Sequence, residues 1–419
     1  MTFHSVMGLA LCIATLFSAQ MTLGAPGPRW TLEEALEQAW VQNPQLQARH
    51  WLVKEVASDL IEARIYPHNP QLELEIGIRR SLESTASDYG FTISQELEIA
   101  GQRGKRLTLA NQELAAAKAI RGRYQQLLAL QVETAFAKAV RAREILTVSE
   151  TDAVLAKDML DFSKRRLDRG AATQIEVNLA QASAGRAERR LQRALADYAT
   201  ARSLVAEVVG VDPQVQPEPI GDLMPPTFEP PDIDGLLELA RQNRADLGSI
   251  QHLEQAAESA IQVALAESRP NLTLGTFFRQ EEGTDEILGA TLGLSLPIFQ
   301  RNQGQVARHR AKHQRLRYER DSLSLGIRQE VIGASNDFVA AQAAAEFLQH
   351  QVLGTLEENV ELMQRSFAAG RIGITEVVTL RREFVATNLE YIEALADLWF
   401  ARIALDRATG SPTAGRELK

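Results

Sequence analysis

The chain has 419 residues, of which 45% are apolar and 24% charged, with a formal net charge of −9. That length and apolar fraction are ample for a large core, and the net acidity offers no basic face for a nucleic-acid partner. Arg and Lys are dispersed among Glu and Asp, the pattern of solvated helix faces.

The N-terminus reads as a secretory signal peptide, residues 1–25. An apolar run from Val6 to Phe17 leads through small and polar residues to Leu23-Gly24-Ala25, with cleavage expected after Ala25. The stretch before the run has His4 but no Lys or Arg. Cys12 is the only cysteine and lies inside the run, so the exported chain is expected to carry no disulfide. Bulky Leu11 before it, and the short apolar stretch preceding, argue against a lipid anchor there. Beyond the signal no segment reaches the roughly 18 continuous apolar residues of a membrane helix. Any membrane crossing by the exported chain must therefore use strands.

The rest divides into two halves with matching punctuation at an offset of about 200 residues. They span residues 26–211 and 233–410, joined by a proline-rich linker, 212–232, and followed by a tail, 411–419. Pro70, Leu72 and Leu74 correspond to Pro270, Leu272 and Leu274; Gly170, Glu176 and Val177 to Gly370, Glu376 and Val377; Gly210 to Gly410.

Each half opens with a predicted helix, Thr31 to about Tyr66 and Asp234 to about Ser268. Thr31 and Glu34 form a capping box. A β-hairpin follows in each, over 71–99 and 271–298. Its apolar residues alternate: Leu72, Leu74, Ile76, Ile78, then Phe91, Ile93, Leu97, Ile99; and Leu288, Ala290, Leu292, Leu294, Leu296, Ile298. This is the period-2 pattern of a strand. Glu73, Glu75, Glu96 and Glu98 fall on the polar side. The connections, Ser81 to Asp88 and Gln280 to Glu286, are polar.

A long helical hairpin then fills 105–210 and 305–410. The outgoing helices, about Lys105 to Asp168 and Gln305 to Ala368, contain no proline and would each be about 95 Å long at 1.5 Å per residue. They turn at Gly170 and Gly370. Helices of this length imply coiled-coil-like packing.

Four strands are too few for a barrel, and an unpaired strand edge is not tolerated in lipid. If the strands lie in a membrane, subunits must pool them, and three copies would give twelve, wide enough for a lumen. The same alternation would also suit a small soluble β-layer packed on helices.

The element order, given twice, resembles the TolC-type outer-membrane factor family over essentially the whole mature chain. So do Arg166-Leu167-Asp168-Arg169-Gly170 with Thr173, Glu176 and Val177, and Phe367-Ala368-Ala369-Gly370-Arg371 with Ile374, Thr375, Glu376 and Val377. The runs from Gln95 to Arg106 and from Leu296 to Gly304 are similar to the branch serving cobalt–zinc–cadmium resistance pumps. This resemblance implies a homotrimeric twelve-stranded β-barrel in the outer membrane continued into the periplasm by an α-helical barrel. It implies a periplasmic adaptor and an inner-membrane RND-type pump as partners, and an exported cargo of divalent heavy-metal cations. The helix turns would be the periplasmic tips, where Arg169, Gly170, Thr173, Gly370, Arg371 and Thr375 contact the adaptor. From their position above the turns, Glu176, Glu376 and Arg365 are the gate candidates: the glutamates would pair with Arg169, Arg371 or Arg365 to hold the closed state, or simply sit on a wet surface. Glu73, Glu75, Glu96 and Glu98 would give an acidic lumen suited to cations.

His309 and His313 are spaced as metal ligands on one helix face, but Arg308, Arg310, Lys312 and Arg315 surround them, so a solvated face is expected rather than a metal site. No HExxH, P-loop, GxSxG or cysteine nucleophile occurs in the mature chain, so neither an enzyme nor a cofactor is expected. Two readings stay open beside the metal duct: the same duct exporting drugs or other small organic molecules, and a periplasmic helical scaffold with no pore.

Overall fold

The computed structural model describes residues 27–80, 85–223, 232–282, 284–349, 362–363, 365–367 and 369–411. The expected signal peptide with Cys12, part of the linker and of the first hairpin loop, and the tail from 412 lie outside the described residues. So does the stretch of the second long helix between 350 and 361.

Chain order gives β1 (Arg29–Trp30), α1 (Leu32–Gln42), α2 (Pro44–Arg64), β2 (Gln71–Arg80), β3 (Thr85–Leu97), α3 (Gln102–Asp168) and α4 (Gln174–Val209). Then come β4 (Glu218–Pro219), α5 (Ile233–Asn243), α6 (Ala245–Glu267), β5 (Leu272–Glu281), β6 (Asp285–Leu294), α7 (Gln303–Leu348) and α8 (Ile374–Thr409). The linker contributes β4, which pairs in parallel with β1 and ties the linker back to the start of the chain.

The opening segment of each half is two helices, not the single one expected. Thr31 caps α1, and its amide donates to Glu34 Oε2 at 2.8 Å, closing the expected box. The break at Asn43 follows from Pro44, which disfavours helical backbone in the residue before it but starts α2 well at its first position. Asn43 then caps α2 by accepting the Leu46 amide at 3.0 Å.

The second half breaks at Arg244, which has no proline after it. Its guanidinium is buried and forks onto Asp246 at 2.6 and 3.1 Å, reaching Glu330 at 2.6 Å. Burial pushes the Asp246 carboxyl up, but Arg244 and Arg123 outweigh it and hold the group below the usual carboxylate range.

The β-hairpins form one sheet in the order β2-β3-β5-β6, every neighbour antiparallel. Strand pairing invades the polar connections expected to be loops, because Arg79 bridges Asp88 and Glu281 at 3.0 Å and Glu282 at 3.1 Å across the sheet. At the other end the strands stop early. Leu294 is the last paired residue of β6, so Leu296 and Ile298 lie beyond it, as does Ile99 beyond β3. Pro297 lacks the amide that another rung would need.

The long helices begin two or three residues earlier than expected, after Gly101 and Asn302. Both of these residues take the left-handed conformation, at φ 71° and 59°. α3 packs along α4, α6, α2 and α8, so it is the spine of the molecule. Small residues make this close approach possible: Ala135, Ala137, Ala139, Ala394 and Ala396 are all buried in the main core around Phe136 and Trp399.

On α7 one stripe, including Leu316, Ile327, Val331, Ala334 and Phe338, is buried within the chain. A second stripe, Tyr318, Leu325, Ile332 and Val339, repeats every seven residues and is exposed. It is one apolar position per heptad, and it stays exposed among the described residues.

Removing Arg244 would leave the half-buried Asp246 carboxylate with only Arg123, at 3.5 Å, and would unpair Glu330. Arg244→Ala is expected to cost about 3 kcal/mol in thermal or denaturant unfolding, the low end for breaking a buried pair. Because the Asp246 carboxyl titrates below its ordinary range in the fold, its contribution is present above that range and is lost on acidification. The gap between wild type and variant should therefore shrink as pH falls below about 4.

Candidate functional site

Residues paired across antiparallel strands share a face, so the register sorts the sheet into two surfaces. One carries Leu72, Leu74, Ile76, Ile78, Tyr89, Phe91, Ile93, Leu274, Phe278, Leu288, Leu292 and Leu294. Most of these are exposed, Ile76 by 88%. The other carries Glu73, Glu75, Arg79, Asp88, Thr92, Ser94, Glu96, Thr273, Arg279, Glu281, Thr291 and several glycines. On it Arg279 pairs with Glu75 at 3.1 Å and lies 5.2 Å over the Phe277 ring, which in turn covers Gly289.

The four expected strand acids therefore do not stay together. Glu73 and Glu75 lie on the polar face. Glu96, at the end of β3, shares that face but accepts from Asn271 at 2.7 Å and faces His68 at 3.2 Å. Glu98 lies past the end of β3 and is nearly buried, gripped by both ends of the Arg106 guanidinium at 2.6 and 3.0 Å. It belongs to the joint between sheet and helix, not to the strand surface.

At the far end of the long helices the two turns share one geometry. Gly170 and Gly370 each sit at φ 70°. The Gly170 and Ala171 amides donate to Leu167 and Arg166 carbonyls, and the Gly370 and Arg371 amides to Phe367 and Ser366. That is a Schellman-type stop, which needs the left-handed residue that glycine supplies.

The return helices are capped differently. The Thr173 hydroxyl accepts the Glu176 amide at 3.3 Å, whereas Glu376 reaches back to accept the Gly373 amide at 2.7 Å. Thr375 lies within the first turn of α8, so Thr173 and Thr375 are not counterparts. Arg169, Gly170, Thr173, Gly370, Arg371 and Thr375 are all exposed.

Glu176 gives its amide to the Thr173 cap, and Glu376 accepts the Gly373 amide, so both gate candidates take part in the caps of the return helices. What joins the two tips is apolar: Met159, Ala180, Met363, Phe367, Ile374 and Val377 form a small core, with the Phe162 and Phe367 rings 5.0 Å apart.

Sequence reasoning missed a charged node about 24 Å above the tip, at 1.5 Å per residue from Asp168 back to Asp152. Asp152 on α3 and Arg381 on α8 are each 3% exposed. Their charged groups meet at 3.0 Å, Arg190 of α4 binds the other Asp152 oxygen, and Ser183 accepts from Arg381. Burial pushes the Arg381 guanidinium down, opposed by Asp152. One signal was available: Arg381 sits between Val377 and Val385, four residues either way, on a stripe that is otherwise apolar and buried.

Among the described residues no group of His, Cys, Asp and Glu is arranged to hold a metal ion. His309 and His313 do not converge on one. Burial, Lys312 and Arg308 push the His309 imidazole down, and His313 faces Glu254 at 3.8 Å. No described helix is long and apolar enough to cross a membrane.

A model of the family described as "Outer membrane efflux protein" matches residues 35–211 and 236–411. The chain belongs to this family. Among its relatives, the cobalt-zinc-cadmium resistance protein CzcC of Cupriavidus metallidurans is 24% identical over 393 residues, covering 92% of this chain and 91% of that protein. The protein CyaE of Bordetella pertussis is 27% identical over 408 residues, covering 90% and 84%. The crystal structure of the outer membrane protein VceC from Vibrio cholerae superposes with a TM-score of 0.72 at 18% identity, covering 91% of this chain and 97% of that one. This outer membrane efflux protein thus has a TolC-like channel fold, a β domain on a long helical one, and it resides in the outer membrane and extends into the periplasm.

Asp152→Asn keeps the shape of the node but leaves Arg190 and Arg381 facing a neutral amide. We expect amide hydrogen exchange in residues 150–190 and 374–385 to rise about a hundred-fold, the equivalent of about 3 kcal/mol, with the sheet unaffected. Unchanged exchange there would show that the node holds nothing together.

Proposed function

We propose that three copies of this outer membrane efflux protein pool their strands into one twelve-stranded wall and act as a passive exit duct. The observation that carries this is the sheet itself: one face apolar and exposed, the other polar, and both edge strands, β2 and β6, without a neighbour among the described residues. In lipid an open edge leaves amides unsatisfied, so the wall must close. Because the four strands alternate in direction, β2 of one copy meets β6 of the next antiparallel, which is how membrane barrels close. The exposed heptad stripe of Tyr318, Leu325, Ile332 and Val339 on α7 supports the same arrangement below the membrane, where a neighbouring copy would cover it.

The duct carries no energy source of its own, so it works with an inner-membrane pump through a periplasmic adaptor docking at Arg169, Gly170, Thr173, Gly370, Arg371 and Thr375. Exposure of all six supports that role. Glu176, Glu376 and Arg365 lie beside the docking surface and would respond to it. Driving the tips from 1:99 to 99:1 open needs about 5.5 kcal/mol of differential adaptor binding, a load that several tips can share.

The cargo we infer is divalent heavy-metal cations. Acids outnumber Arg79 and Arg279 on the polar strand face, and CzcC is named for cobalt-zinc-cadmium resistance.

Two measurements test this. The purified protein in a planar bilayer should give single-channel current as a trimer; a monomer without current is a scaffold. A deletion strain should lose growth on zinc, cobalt or cadmium; sensitivity confined to a drug panel would move the cargo to organic molecules. At the tip, Arg371→Glu should raise leakage of dye or antibiotic by disturbing the docked and closed surfaces. Leakage equal to wild type would remove Arg371 from the gate.

A further inference from the structure

The strip between sheet and long helices is not explained by transport. Past the last rung of β6 the alternation of Leu288, Ala290, Leu292 and Leu294 continues in sequence as Leu296 and Ile298, both exposed, and Phe299 is 90% exposed. Past β3 the exposed Ile99 extends the series of Tyr89, Phe91, Ile93 and Leu97 in the same way. These side chains form an apolar fringe at the helix end of the apolar sheet face.

Cations follow at once. Arg103 and Lys105 open α3, and Arg301 and Arg308 flank the start of α7. Of the acids nearby, Glu98 is held by Arg106, and Glu267 accepts from Asn302 at 3.1 Å. Among the described residues none of Arg103, Lys105, Arg301 and Arg308 has a carboxylate within ion-pair distance. Arg301 and Arg103 spend their Nε on the Ile298 and Arg64 carbonyls at 3.1 Å, an anchoring that leaves the outer nitrogens available. Neither long helix has a side-chain cap at its N-terminus, so both present free amides and a positive dipole end to this strip.

We propose that this collar binds anionic phospholipid headgroups of the membrane leaflet facing the periplasm. The apolar fringe enters the acyl region, and the guanidinium and ammonium groups reach the phosphates just outside it. The inference rests on the duct reading for which face meets lipid, and adds a lipid preference to it. Three features argue for a lipid rather than a protein occupant. The fringe is continuous with the apolar sheet face, the charge order runs apolar then basic along the chain as at a bilayer boundary, and the pattern occurs at both hairpins. Seated this way, the collar fixes how deep the wall sits and where the helical tube begins.

The test uses the full mature chain reconstituted in phosphatidylcholine vesicles containing equal mole fractions of either brominated phosphatidylglycerol or brominated phosphatidylcholine. Tryptophan probes are Ile298→Trp in the collar and Leu292→Trp on the sheet face, with the fluorescence of the unmodified chain subtracted. Phe299→Trp replaces the collar probe if the first variant does not assemble. Quenching at the collar should favour phosphatidylglycerol about five-fold in apparent exchange constant, as expected for one basic group near a phosphate. The preference should vanish when Arg103→Gln, Lys105→Gln and Arg301→Gln are combined, and weaken in high salt. Equal quenching by both lipids at the collar overturns the headgroup site. Quenching at Leu292→Trp but not at the collar also overturns it and leaves the duct standing. If neither probe is quenched, the duct reading fails and the collar with it.

Discussion

A peptide amide inside a bilayer has no water to bond, and that constraint organises this molecule. Among the described residues the sheet satisfies its inner strands but ends on two open edges, and its apolar face is exposed on all four strands. On the proposed duct reading both liabilities have one remedy, a ring of identical sheets. Everything below the sheet then serves geometry. Each hairpin hands its chain to a helix of great length, and the strand order makes all of these helices leave from the same side.

The helical part follows a different logic from an ordinary globular core. Alanines at the contacts between α3, α4 and α8 let backbones approach closely, while large residues such as Phe136 and Trp399 are concentrated in one region. Several charged and polar groups inside are paired in sets: Arg244 with Asp246 and Glu330, Trp399 with Glu133 at 3.0 Å, and Asp152 with Arg381 and Arg190. Such sets contribute little net stability compared with apolar packing, but they penalise any sliding of one helix past another. In a structure of long helices packed side by side, where neighbouring registers differ little in energy, that penalty has a structural use.

Periodicity made much of this legible beforehand. Period-2 runs marked the strands, proline-free helical stretches marked α3 and α7, and glycine at 170, 210, 370 and 410 marked helix ends, all four at positive φ. What sequence could not resolve lay in competition between local and distant partners. Asp88 and Glu281 look like loop residues until Arg79 draws them into the sheet. Glu98 continues the alternation by position, but Arg106, one turn into the following helix, claims it. Glu376 also accepts the Gly373 amide at the start of its own helix, a bond set by backbone geometry more than by side-chain pattern. The Asp152 node needed three helices in register before its charges could be matched.

The central claim is that the two faces of the sheet meet different solvents. A nitroxide scan along β2, one label at a time from Leu72 to Ile78 in the reconstituted protein, measures this directly through collision with oxygen and with a water-soluble nickel complex. The account predicts strict alternation: labels at 72, 74, 76 and 78 favour oxygen, and those at 73, 75 and 77 favour nickel. Uniform access of the nickel complex along the strand would contradict it.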